Sequence, residues 1–329
     1  MRWSALALLA AALALCALAG LVAGGVALAP GDVVNALLHP RAAGDAGTIV
    51  WTLRLPRVAI GLVAGASLSL AGALMQSLLR NPLVDPYLTG VSAGAGAAIA
   101  IAAVAGVAPA AVPPLGFASG LGTAIVVAVL ARSGSGLSRE RLILAGVSLS
   151  ALLAAIVTVA LLALSRDLAS QMLLSWLAGS LAGRGWSDLA AAAPEALAGT
   201  LLGLLAVPAL NVLRVGERRA QALGVDVARL QWLLLVAATL LTSAAVALAG
   251  LVGFVGLIGP HLARRLVGAD LRAVVPASAL TGAILVILAD ALARTLASPA
   301  EVPLGVLLAF VGVPTFLVLY LGGGARAFS

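Results

Sequence analysis

Apolar residues run through this chain in long unbroken blocks, and the short breaks between the blocks carry almost all of the charge. Stretches such as Leu233–Gly250 and Ala273–Ala289 are continuous rather than alternating. They have neither the period of two of a half-buried strand nor the polar face of a surface helix. A spanning helix needs roughly 20 apolar residues, because the hydrocarbon core of a bilayer is about 30 Å thick. In lipid the backbone must satisfy its own hydrogen bonds, which leaves helices and closed barrels, and continuous blocks select helices. Cutting at the charged breaks predicts spans near 4–29, 55–79, 92–107, 115–132, 141–165, 187–210, 232–251, 255–268, 273–295 and 304–323. The chain therefore reads as an all-α membrane protein of about ten transmembrane helices. No Pro/Gly/Ser linker divides it, so residues 1–329 are expected to form one domain. The third and eighth spans are short, and enclosure by the other helices is expected for both.

Composition strengthens this picture. Apolar residues make up 63% of the chain and charged ones 9%, where a soluble domain carries about 25% charged residues. Many of the 37 glycines fall inside the apolar blocks, where small residues allow helices to approach closely. Gly61, Gly65 and Gly72, with Ser69 beside them, form one such stripe. Leu70-Ala71-Gly72 recurs as Leu248-Ala249-Gly250, a faint sign of the inverted repeats found in transporters. The single cysteine, Cys16, excludes an intrachain disulfide and a multi-cysteine metal site. Leu15 before it is not the small residue that lipoprotein processing requires, and residues 4–29 outrun a signal-peptide core of about 7–15 residues; this segment reads as the first span.

Charge then supplies an orientation. All 19 basic residues are arginine, and the net charge is +7. In a soluble protein this would point to nucleic acid; in a membrane protein its distribution over the loops is what counts. With the N-terminus inside, 13 arginines face the cytoplasm (2, 80, 132, 139, 141, 214, 218, 219, 229, 264, 265, 272 and 326) and six lie outside or at the outer boundary (41, 54, 57, 166, 184 and 294). Counting acids, the two sides carry +8 and −1, which favours cytoplasmic termini.

No G-x-x-x-x-G-K-[ST] loop exists, and without lysine none could; the chain is not expected to bind ATP in that way. The acids, including Asp85, Glu140, Glu195, Glu217, Asp226, Asp270, Asp290 and Glu301, sit in loops or near span ends, which disfavours proton coupling. Three segments stand out. Residues 213–226 read as a short amphipathic helix stopped at Gly224, either a solvated loop or a lever that docks on a soluble ATPase. In residues 76–94, Pro82 and Pro86 push Asn81 and Asp85 out of helical geometry, either a plain turn or a cytoplasmic gate. Arg54, Arg57 and Arg294 run against the charge bias; they would anchor headgroups or meet a soluble acidic partner, and Asp290 could neutralise Arg294 at i,i+4.

Taken in order, Arg54-Leu-Pro-Arg57, the run from Leu70-Ala-Gly through Arg80-Asn-Pro-Leu83 and Asp85-Pro86 to Gly90-Val-Ser92, Leu144-Ala-Gly-Val147, Gly216-Glu217, Ala220, Leu223-Gly224, Gly253-Phe-Val-Gly-Leu257, Pro260-His261, and Leu288-Ala-Asp290 with Arg294 resemble the FecCD/BtuC family. These are the permeases of type II ABC importers for iron chelates, haem and vitamin B12, and the likeness runs from about residue 50 to 323. It implies a ten-helix subunit that pairs with a second permease to enclose one pathway in the bacterial inner membrane. It also implies two cytoplasmic ATPase subunits, which hold the ATP and Mg that this chain lacks, and a periplasmic substrate-binding protein. By the same likeness Arg54, Arg57 and Arg294 would meet glutamates on the binding protein. Asn81 and Leu83 would form one cytoplasmic gate, and Ser138, Arg139 and Glu140 would contribute to another. The loop with Gly216, Glu217, Arg218, Ala220, Leu223 and Gly224 would engage the ATPase. Gly146, Ser148, Ser150, Gly305 and Gly312 would line the pathway, and residues 166–186 with Gln171, Trp176 and Trp186 would form an interfacial helix. Arg139-Glu140 departs from the small hydroxyl residues of the vitamin B12 permease in the gate region. Ferric siderophore or haem is the expected cargo, with cobalamin next, and the choice among them rests largely on the binding protein rather than on these side chains. A homodimer is expected, with a heterodimer of similar permeases as the alternative. The competing class is a stand-alone ion-coupled transporter; a membrane-embedded enzyme lacks a cluster of acids, histidines or metal ligands in the sequence.

Overall fold

The computed structural model describes residues 2–26, 28–40, 44–108, 111–133, 136–164, 168–297 and 300–322. Arg41, Arg166, Asp167 and Arg326, used above for orientation, lie outside the described residues. The helices, in chain order, are α1 (Arg2–Val22), α2 (Pro30–Leu38), α3 (Gly44–Thr48), α4 (Leu55–Leu79), α5 (Val91–Val104), α6 (Val112–Leu130), α7 (Arg139–Ala163), α8 (Leu168–Ala178), α9 (Trp186–Leu213), α10 (Glu217–Ala222), α11 (Val227–Ala249), α12 (Val255–Val267), α13 (Leu271–Leu296) and α14 (Leu304–Gly322). Each predicted span has its helix, α1, α4–α7, α9 and α11–α14 in order. After the fifth span the 166–186 stretch holds α8, which stops at Ala178, so that Trp186 opens α9 instead; a short helix, α10, forms in the 213–226 loop.

Helix ends follow from local chemistry. Ser138, Asp226 and Asp270 cap α7, α11 and α13, each side chain accepting an N–H of the first turn. Gly224, at φ +84°, closes α10: its N–H donates to the Gln221 carbonyl and that of Val225 to the Ala220 carbonyl, the paired bonds of a glycine-terminated helix.

α4 is the axis of the bundle. It packs against α13, α11, α12 and α9, and 78% of its most apolar stretch is buried, against 17% for α7. The glycine stripe explains how neighbours come so close. A Cβ on Gly72 would collide with the backbone of Gly256 in α12, while Gly65 and Gly282 of α13 face each other so closely that neither can carry a side chain. The two Leu-Ala-Gly triplets do different work: Gly72 makes this mid-helix crossing, whereas Gly250 ends α11 at φ +70°. At about 1.5 Å per residue, α5 and α12 are too short to cross alone. α5 is enclosed by α6, α7 and α11, and α12 by α13, α4 and α14.

Three details depart from the pattern reading. The first span stops at Val22, not near 29, because a bend at Gly24–Gly25 precedes the new helix opened by Pro30. The second begins earlier, since α3 continues through a π-helical turn (Ile49–Arg54) into α4. Between α6 and α7 the chain makes a small antiparallel pairing, β1 (Arg132–Ser133) with β2 (Gly136–Leu137). Gln231 of α11 holds it, accepting the Leu137 N–H at 2.9 Å.

Candidate functional site: a gate and coupling cluster, and an arginine cluster

At one end of the bundle the 80–90 segment links α4 to α5. Arg80 turns the chain at φ +50°, rare for a residue with a Cβ. Asn81 Oδ1 accepts the Leu83 N–H at 3.0 Å, leaving the Leu83 side chain exposed between Pro82 and buried Val84. Asp85 caps a short 3₁₀ turn (Pro86–Thr89), and the Tyr87 hydroxyl both donates to the Val252 carbonyl and accepts its N–H, each at 2.8 Å. The Gln76 amide fixes the inner side: it donates to the carbonyls of Val84 (3.3 Å) and Gly256 (3.1 Å), while its oxygen accepts from Arg264 of α12 at 2.8 Å.

The same end carries the start of α7 and α10. Glu217, in the first turn of α10, accepts a hydrogen bond from Arg139 and lies 3.8 Å from the Arg80 guanidinium. Arg80 in turn donates to the Leu213 carbonyl at the end of α9 at 3.0 Å. One carboxylate thus joins the two segments expected as gates to the segment expected as the coupling loop. A cleft of ≈ 560 Å³ opens here, lined by Arg80, Arg139, Glu217, Arg218, Arg219 and Gln231 among others. Ala220 is buried and anchors α10, Gly216 allows φ +114° before it, and Leu223 projects outward at 70% exposure, with Glu140 and Arg218 also exposed. Gln76, Arg80 and Arg264 stand outside the set of site residues expected from the sequence. Only Gln76 and Arg80 had a signal, their place in the motif run.

At the opposite end the three arginines are turned inward. Arg54 is 5% exposed and donates to the carbonyls of Leu21 (2.6 Å), Val22 (2.8 Å) and Val26. Arg294, 6% exposed, donates to Ala23 (2.8 Å) and Gly20 (2.9 Å). Together they satisfy carbonyls that the end of α1 leaves open, where a cation also suits the helix dipole. The expected meeting of Arg54 and Arg294 with a partner's glutamates does not fit this burial; both serve as caps on α1. Arg294 also pairs with Asp290 at 3.0 Å, the i,i+4 alternative read from the sequence. Arg57 bridges Asp290 (2.8 Å) and Glu301, the latter by two parallel bonds of 2.9 and 2.8 Å. The Arg57 hydrogen bonds hold the Glu301 carboxyl below its ordinary range. In the sequence Glu301 is only a loop acid, with nothing local to pair it with Arg57.

The residues expected along the pathway divide. Ser148 lies on the open face of α7 beside Leu144, Val147 and Leu152, with Ser150 half-buried. Gly146 is buried within the bundle. Gly312 is buried against Phe254, and a Cβ on Gly305 would strike the carbonyls of Ala178 and Leu251 at 2.6 and 2.7 Å. These three are packing positions; the open face of α14 is formed instead by Val306, Phe310, Val313 and Leu317.

Residues 12–322 match the FecCD transport family. Over 283 residues the chain is 41% identical to the cobalamin import system permease protein BtuC of Halobacterium salinarum, covering 86% of this chain and 76% of the relative. It is equally 41% identical, over 287 residues, to the hemin transport system permease protein HmuU of Yersinia pestis, covering 84% of each. A solved structure described as an inward-facing conformation of a metal-chelate type ABC transporter superposes with a TM-score of 0.87 at 32% identity, over 96% of this chain and 98% of that one. The chain belongs to the FecCD transport family, and is a multi-pass membrane permease of the ABC importer class.

Proposed function

We propose that this chain is one transmembrane half of an ATP-driven importer that moves a bulky metal chelate, ferric siderophore or haem, across the bacterial inner membrane by alternating access. Cobalamin is the alternative cargo within the same family. The cargoes named for the two relatives above are metal-centred macrocycles, which supports a wide pathway with weakly polar walls over a tight site. Two copies enclose the pathway, with the open faces of α7 and α14 as the surfaces available for pairing and for lining. The chain itself catalyses nothing. ATP and Mg bind to two separate ATPase subunits, and a substrate-binding protein delivers the cargo to the Arg57 end. The arginine bias supports placing both termini and the Glu217 end in the cytoplasm.

The observation that carries this reading is the Glu217 junction. A carboxylate on α10 holds Arg139 at the head of α7 and faces Arg80 at the end of α4. Beside it Leu223 and Val215 are exposed, an apolar foothold for a soluble subunit. An ATPase that moves α10 would therefore move both segments. The reading is tested in proteoliposomes holding the permease, its ATPase and its binding protein, with ferric siderophore, haem and cobalamin offered in parallel. ATP on the Glu217 side should drive accumulation of one of the first two. Accumulation of cobalamin alone selects the alternative cargo, and accumulation by the permease alone under a proton or sodium gradient overturns the ATP-driven reading.

A further inference from the structure

At the Arg57 end, two guanidinium groups and two carboxylates form a closed set. Asp290 is 3% exposed and held from both sides by Arg57 and Arg294. Glu301 stands on the stretch between α13 and α14 with its side chain 37% exposed, and it fills the outer fork of Arg57. While all four side chains are in place the set itself is neutral and the Arg57 fork is filled. The neighbouring Arg54 charge is buried against main-chain carbonyls, so no open guanidinium is offered to an acidic partner. Of the two acids only Glu301 can leave. Withdrawing Asp290 would strand a buried charge, whereas more than a third of the Glu301 side chain is already in water. We propose that Glu301 is an internal competitor for docking: it occupies the Arg57 fork that a carboxylate of the substrate-binding protein takes on arrival. The inference rests on the docking role for this end given under Proposed function.

Exchange of one carboxylate for another in the same fork keeps the number of ion pairs constant, so docking need not break the buried set. It also gives the partner a mechanical effect. The Glu301 stretch is tied to its surroundings by the Val302 N–H on the Ala293 carbonyl (3.1 Å) and the Leu304 N–H on the Gly179 carbonyl (2.9 Å). Releasing Glu301 loosens the entry to α14, the helix whose open face is available to the pathway. Docking at Arg57 is thereby linked to the freedom of α14.

The test uses the permease–ATPase complex in nanodiscs and the purified substrate-binding protein of the same transporter. Affinity is read by biolayer interferometry for wild type, Glu301→Gln, Arg57→Ala and the double variant, with thermal unfolding confirming that each is folded. Exposed ion pairs set the scale, so Glu301→Gln should bind about two- to fivefold more tightly. Arg57→Ala should bind more weakly, and the double variant should match Arg57→Ala. Unchanged or weaker binding by Glu301→Gln, with Arg57→Ala still impaired, overturns the competitor role and leaves the docking role standing. Unchanged binding by Arg57→Ala removes the docking role itself.

Discussion

Glu217→Arg is the perturbation that separates coupling from folding. The wild-type carboxylate faces Arg139 and Arg80, and all three side chains are between a third and two-fifths exposed. Exposed pairs contribute about 0.2–1 kcal/mol each, so removing both should cost the fold no more than about 2 kcal/mol. Ala220, the buried anchor of α10, is untouched. Reversing the charge does more than remove attraction. Two guanidinium groups about 4 Å apart repel by roughly 4 kcal/mol at an effective dielectric of 20 before salt screening. The Arg80 separation of 3.8 Å is well inside the Debye length of about 8 Å. Even a third of that repulsion would shift the equilibrium between held and released α10 about tenfold. ATP hydrolysis and uptake measured in the same proteoliposomes should therefore part company, with hydrolysis continuing and uptake falling about tenfold or more. Arg139→Glu added to Glu217→Arg should restore part of the uptake, because one attractive pair re-forms. Wild-type uptake in Glu217→Arg would refute the reasoning; so would a double variant no better than the single one.

Further substitutions test the packing. Gly72→Val drives a branched side chain into the backbone of Gly256, which cannot yield as a side chain can; a loss of about 3 kcal/mol or more is expected, read as a lowered unfolding midpoint in detergent. Gln76→Leu removes the amide that the Val84 and Gly256 carbonyls accept from, and leaves Arg264 with the weaker bond to the Pro260 carbonyl (3.3 Å). It should cost about 1–3 kcal/mol and raise hydrogen exchange selectively in residues 80–90. Arg294→Ala uncovers the Gly20 and Ala23 carbonyls and removes one of the two partners of Asp290; roughly 3 kcal/mol is expected, with the loss shared by Arg54→Ala but not by Arg218→Ala. The Glu301 carboxyl is lowered from 4.5 by the Arg57 hydrogen bonds. Its ion pair is therefore fully formed above that ordinary value and lost only as pH falls through the lowered one, so binding-protein capture should be flat from about pH 8 down to about pH 5.

The order of the helices was legible because lipid imposes a length and a polarity on every span, and the short breaks carry charge that cannot be hidden. The glycine stripe on α4 was legible as close packing for the same reason, and the stop at Gly224 because a glycine after a charged helix has few other uses. The partners of the arginines were not. Arg54 and Arg294 answer to main-chain carbonyls at the end of α1, those of Leu21 and Gly20, and a carbonyl leaves no mark in a sequence. The Arg57–Glu301 pair joins residues 244 positions apart, beyond any local pattern. Gly146 in α7 and Gly312 in α14 each have exposed neighbours on their own helix, and which face each takes depends on tertiary packing against the bundle interior and Phe254.

The permease is expected to change state under a soluble subunit bound at α10. Its native thiol, Cys16, can be replaced by alanine, and Leu83, exposed at the tip of the 80–90 segment, can be made the only cysteine. The rate at which a membrane-impermeant maleimide labels position 83 then reports the state of that segment. With the ATPase present, trapping ATP should change the rate several-fold, and Glu217→Arg should abolish the change. A rate indifferent to nucleotide, or one that follows a proton or sodium gradient without the ATPase, would contradict the account.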